Sequence, residues 1–153
     1  GAEYGIRGWL EAEGIATLGL ARSDYPAAGA LGEVQRLMNG CAGVVVFGFG
    51  ELEVREGRWR EGTPDARILS GRLFGTAWSQ LESGMAAMHN LPLLVVADPA
   101  LADGIFDKAV SEHHIYRLAP DAGRDSPAFA DWCAAVRNHV RTGGARTAVG
   151  CPE

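Results

Sequence analysis

Cysteine is scarce. The 153 residues hold three, Cys41, Cys133 and Cys151, an odd set with no C-x-x-C, so neither a disulfide framework nor a cysteine-based zinc site is expected. No apolar run approaches the ~18–20 residues of a membrane helix, and no basic start followed by an apolar stretch reads as a secretory leader. Basic residues are outnumbered as well. Fourteen Lys+Arg stand against 19 Asp+Glu, for a net charge of −5. Neutralising the phosphates of a duplex needs a basic face, so neither a nucleic-acid duplex nor a membrane is an expected partner. Walker A, H-E-x-x-H and G-x-S-x-G patterns are missing, as is any internal repeat. These absences together point to a cytoplasmic protein.

What remains is an ordinary globular composition, 47% hydrophobic and 22% charged. The length suits one domain, 1–153, which can bury roughly 68–70% of its unfolded surface. Tyr4 to Ala12 reads as the end of a helix stopped by Gly14, and Ile15 to Leu20 as a strand. Leu31, Val34, Leu37, Met38 and Cys41 recur at helical spacing. Val44-Val45-Val46-Phe47 and Leu93-Leu94-Val95-Val96-Ala97 are apolar without alternation, the mark of strands covered on both faces. Between them lie a polar insertion, about 51–75, and a helix over Ala77 to Asn90. The insertion reads as a small hairpin or a mobile loop over 51–60, followed by an irregular stretch from Gly62 to Gly75. Residues 101–110 are weakly helical and broken by Gly104. Ile115 to Leu118 is a short edge strand. Ser126-Pro127 opens a final helix as N-cap and first residue, with Phe129, Trp132, Cys133, Val136 and Val140 on its apolar stripe. The tail from about 145 is expected to be loose.

Strands alternating with helices imply an α/β fold with a doubly wound, mainly parallel sheet in flavodoxin-like order. The chain opens in a crossover helix, so the first strand of that order is missing from the sequence as it stands, or its place is filled by another segment. Ligands of such sheets bind beyond the carboxyl ends of the strands. Asp24, Gly48, Phe49 and Asp98 fall there, as does the start of the helix near Thr76, whose free amides favour an anion. Gly48-Phe49-Gly50 lacks the third glycine of a dinucleotide fingerprint. His113-His114 reads as a surface pair, Cys41 and Cys133 as core thiols, and Arg55, Arg58 and Arg60 as a solvated face.

Glu82 stands out. It lies four residues after Trp78 and three before Met85, at the edge of an apolar stripe. A carboxylate there is partly desolvated, which suits a nucleophile or general base. The competing explanation is a capping box: Ser79-Gln80-Leu81-Glu82 has the S-x-x-E spacing of a helix starting at Ser79.

The stretch Gly75-Thr76-Ala77-Trp78-Ser79-Gln80-Leu81-Glu82-Ser83-Gly84-Met85-Ala86, followed by Leu91-Pro92 and an apolar strand, resembles the Glu-bearing helix of the nucleoside 2-deoxyribosyltransferase-like and TIR-like superfamily. Cys41 to Phe47 is similar to the helix end and strand that precede the site there. The resemblance implies cleavage of an N-glycosidic bond in a nucleoside or an NAD-like nucleotide, bound as substrate with no separate cofactor. Glu82 would stabilise or attack the anomeric carbon. Phe49 and Trp78 would stack on the base. Arg72 and the helix start would meet a phosphate, and Ser79 is a further substrate-binding candidate. It equally allows a non-catalytic, nucleotide-sensing or self-assembling TIR-like module of a bacterial defence or signalling protein. Either form is expected to be a homo-oligomer.

Overall fold

The computed structural model describes residues 2–19 and 29–143. In chain order the elements are α1 (Ala2–Ala12), α2 (Ala30–Met38), β1 (Val44–Gly48), β2 (Leu52–Trp59), β3 (Arg67–Phe74), α3 (Ala77–Met88), β4 (Leu93–Ala97), a 3-10 turn (Gly104–Phe106), β5 (Ile115–Leu118) and α4 (Pro127–Arg141). The fold class is α/β: a three-stranded sheet in the order β1-β4-β5, a separate pair β2-β3, and four helices among the described residues.

The β1-β4-β5 sheet is parallel throughout, with Val44 opposite Leu93 and Leu93 opposite Ile115. Both faces are covered, as the unbroken apolar runs require. Leu94 and Val96 of β4 turn toward Ile6 and Leu10 of α1 and Phe129, Trp132, Cys133 and Val136 of α4. Leu93 and Val95, one residue out of phase, turn the other way. They meet Val46 of β1, Ala86 of α3, Leu91, Leu101 and Phe106. A two-residue period thus feeds two separate cores. The Trp132 indole donates from Nε1 to the Pro92 carbonyl at 3.0 Å, tying α4 to the entry of β4. On the outside of α1, Glu13 accepts from Arg124 and Arg137, each at 2.7 Å.

Two expectations change. Residues 15–19 form no strand, and Leu20 lies outside the described residues. The Ile15 amide bonds back to the Leu10 carbonyl at 2.8 Å, closing the end of α1, and the Ile15 side chain packs against the α1–α4 core. Residues 67–74 are not irregular. They are β3, antiparallel to β2 with Leu52 opposite Phe74 and Trp59 opposite Arg67. Gly71, at φ 62, interrupts the alternation that would have announced the strand. Among the described residues, three parallel strands carry the core. The tail from 145 lies outside the described residues.

The β2–β3 arm curls on itself. A flat ladder would separate the Leu52–Phe74 and Trp59–Arg67 rungs by ~23 Å, yet the Trp59 and Phe74 rings stack at 6.4 Å. The Arg67 guanidinium lies 5.8 Å from the Trp59 ring centre.

Candidate functional site

The carboxyl ends of β1 and β4 meet the start of α3 at one rim of the sheet. Thr76 is the N-cap of α3, its Oγ1 accepting from the Ser79 amide at 3.2 Å. The Ser79 hydroxyl, 3.0 Å from Thr76 Oγ1, donates to the Phe47 carbonyl at 3.2 Å. The helix is thereby latched to the last turn of β1. Ser83 donates to the Ser79 carbonyl at 2.6 Å. Ser79, Ser83 and Ala86 form the buried stripe of α3, and their small size lets the helix lie close on the sheet.

This geometry decides the capping-box question. The helix begins two residues before Ser79, and it is Thr76 that serves the Ser79 amide. Glu82 is therefore an interior helical residue with no cap to make. It is half-buried, and it forms no hydrogen bond or ion pair with any described residue. Burial alone pushes its carboxyl above the usual 4.5. Helical spacing puts Trp78, also half-buried, and Met85 on the same flank as Glu82. The opposite flank carries Gln80, which reaches the 103–105 segment.

The remaining predicted residues divide into groups. Gly48 and Phe49 sit at the exit of β1 beside the Ser79 latch. Phe49 is 42% exposed, with one face stacked on Phe47 at 6.1 Å. Arg72, on β3, donates from Nη2 to the Ala102 carbonyl at 3.3 Å. Asp98 follows β4 and accepts from the Ala100 amide at 2.8 Å, a local Asx turn. Asp98 also lines a cleft of about 130 Å3 with Leu101, Phe106, Lys108 and Arg117. A second cleft of about 90 Å3 lies between α1 and residues 118–122. Neither is lined by Glu82, Trp78 or Phe49. Asp24 lies outside the described residues.

No group of three or more His, Cys, Asp or Glu among the described residues is arranged to hold a metal ion. His113 and His114 lie in the turn before β5, not in a strand, and their rings meet edge-on at 5.4 Å. Cys133 belongs to the α1–α4 core and Cys41 packs against the other, with burial raising both thiols. No described helix is long and apolar enough to cross a membrane.

Three residues at this rim carry no sequence signal. Gln80 accepts from the Ile105 amide at 2.8 Å and donates to the Asp103 carbonyl at 3.2 Å. Arg117 donates to the carbonyls of Ile105 and Asp107, both at 2.9 Å. Phe106, between those anchor points, is 3% exposed. Their partners lie 10 or more residues away in sequence, outside the repeat of any helix or strand.

The chain matches no known family model, no curated protein and no solved structure.

Proposed function

We propose that the protein cleaves the N-glycosidic bond of a nucleoside or an NAD-like nucleotide, with Glu82 as the catalytic carboxylate. The supporting observation is Glu82 itself: a half-buried carboxylate, without a partner among the described residues, inside a helix whose cap is supplied by Thr76. Leaving a desolvated acid unpaired costs stability, and such groups cluster where chemistry uses them. In this reading the C1′–N bond breaks and the base leaves with the bonding pair. The ionised Glu82 carboxylate offsets the oxocarbenium charge or forms an ester with C1′. Water then delivers its oxygen to C1′; its proton goes to the departing base of a nucleoside, or to solvent when a nicotinamide leaves as the neutral base. The exposed face of Phe49 and the Trp78 ring flank the base, and Arg72 and Asp98 contribute polar contacts.

The same reading takes the sheet as part of a doubly wound, flavodoxin-like order with a further strand beside β1. Val44 donates to Pro92 and Gly48 accepts from Asp98, so residues 44, 46 and 48 face β4. Val45 and Phe47 direct their backbone groups to the opposite edge, where the Ser79 hydroxyl meets the Phe47 carbonyl. That edge, which no described strand pairs, also favours a second reading, a nucleotide-binding module that assembles through edge pairing without turnover. Both readings suit a cytoplasmic homo-oligomer.

The deciding experiment incubates the protein and its Glu82→Gln variant with NAD and a panel of nucleosides and follows free base by chromatography. The expected result is base release that Glu82→Gln reduces by about 100-fold or more, rising with pH as the carboxylate ionises. Equal release by both proteins removes Glu82 from the chemistry. Stoichiometric binding without product selects the binding module.

A further inference from the structure

The ring of Phe106 is inserted between the two chain segments that frame the rim. A Cβ built on Gly48 would lie 2.4 Å from Phe106 Cε1, and one on Gly75 would lie 2.6 Å from Cε2. These carbons are on opposite edges of the ring, so the ring fills the gap between the exit of β1 and the entry of α3. Phe49 follows the first glycine and Thr76, the N-cap of α3, follows the second. The ring is itself held from both sides. Gln80 takes the amide of Ile105, and Arg117 takes the carbonyls of Ile105 and Asp107. Gln80 belongs to the same helix as Glu82.

We propose that Phe106 is a positioning residue for the candidate site, a wedge that sets the spacing between Phe49 and the Glu82-bearing helix. This inference rests on the glycosidase reading. Phe106 touches no substrate in it. Its ring fixes where the stacking face of Phe49 stands relative to Trp78 and Glu82, and the Gln80 and Arg117 anchors keep the ring in register. Replacement by a smaller side chain leaves both segments free to close on the gap. A methyl group on Gly75 pushes them apart.

The test uses Phe106→Leu, Gly75→Ala and the double variant of the whole chain. Leucine lacks the Cε2 and Cζ atoms that a residue-75 Cβ would meet, so the two changes compensate in space. Activity is measured as kcat and KM for base release per folded molecule, and position as the amide 15N shifts of Phe49 and Ser79. Each single change should lower kcat by about 10–100-fold, the scale of a misplacement near 1 Å. The double variant should recover kcat relative to Gly75→Ala and return both amide shifts toward the wild type. Unchanged kcat per folded molecule in all three variants overturns the proposal, because a merely structural ring moves stability alone. A double variant whose loss is the product of the single losses also overturns it. Should the wild type release no base, the glycosidase reading fails. The wedge is then judged on the shifts: restoration in the double variant upholds it, and additive displacement ends it.

Discussion

Glu82 and Thr76 carry opposite lessons about α3. Thr76 stabilises the helix start by accepting from the Ser79 amide. Thr76→Ala should therefore cost about 1 kcal/mol in a urea unfolding titration. Glu82 does the reverse. Burial raises its carboxyl above 4.5, so the native state holds that proton more tightly than the unfolded chain does. Stability then falls as pH rises from 4.5 through the raised native value, and the loss is complete above it. Glu82→Gln carries no charge to desolvate. We expect the variant to be more stable than the wild type near neutral pH, with the difference closing in acid. Paired denaturation curves at the two pH values check this, and a variant less stable at neutral pH would show that the carboxylate has a partner. A residue that weakens the fold while blocking no cap is one whose presence calls for a function.

Among the elements, the β2–β3 arm stands apart from the two cores. Most of its residues are exposed or half-buried, and it returns on itself through the Trp59–Phe74 stack. Its root is different. Leu73 packs against the Val46–Phe106 core, and the Glu51 amide donates to the Phe74 carbonyl at 3.0 Å. Replacing residues 55–71 with a two-residue Asn-Gly turn while keeping the root should leave one cooperative thermal transition, shifted by about 4 °C or less. A loss of cooperative unfolding would mean that the arm holds the sheet together. Within the arm, Gly71→Ala forces a side chain onto φ 62 and should cost about 1 kcal/mol. Local amide exchange is the suitable measure. β4 is the opposite case, with Leu93, Leu94 and Val96 all fully buried. Leu94→Ala should cost about 2–5 kcal/mol of global stability.

Across the whole molecule, α1 is joined to the rest by the first core and by the Glu13 clamp. Arg124 and Arg137 hold the Glu13 carboxyl below the usual 4.5 by hydrogen bonding to its charged form. The stability from this clamp is fully present above 4.5 and is lost as pH falls through the lowered native value. Glu13→Gln should thus speed amide exchange in α1 near neutral pH, and the two proteins should converge in acid. Glu13 and Glu82 therefore contribute opposite pH slopes to stability.

The sequence by itself determines the strands β1 and β4 and the helices that end in clear signals. Val44-Val45-Val46-Phe47 and Leu93-Leu94-Val95-Val96-Ala97 are apolar at every position, and a run of that kind is stable only between two layers. Ser126-Pro127 and the stripe from Phe129 to Val136 likewise specify α4 locally, although the Ser126 side chain makes no capping bond. Glu82 is legible for the same reason, since its edge position depends on helical spacing alone. Tertiary structure decides the rest. Residues 15–19 are apolar enough for a strand, but a strand exists through its partner, and none of the described residues lies alongside to pair with them. β3 is a strand because β2 supplies a ladder across Gly71. The wedge of Phe106 between Gly48 and Gly75, held by Gln80 and Arg117, joins positions 10 to 58 residues apart. Such contacts leave no periodic trace in the chain, because they arise from packing and not from the repeat of a helix or a strand.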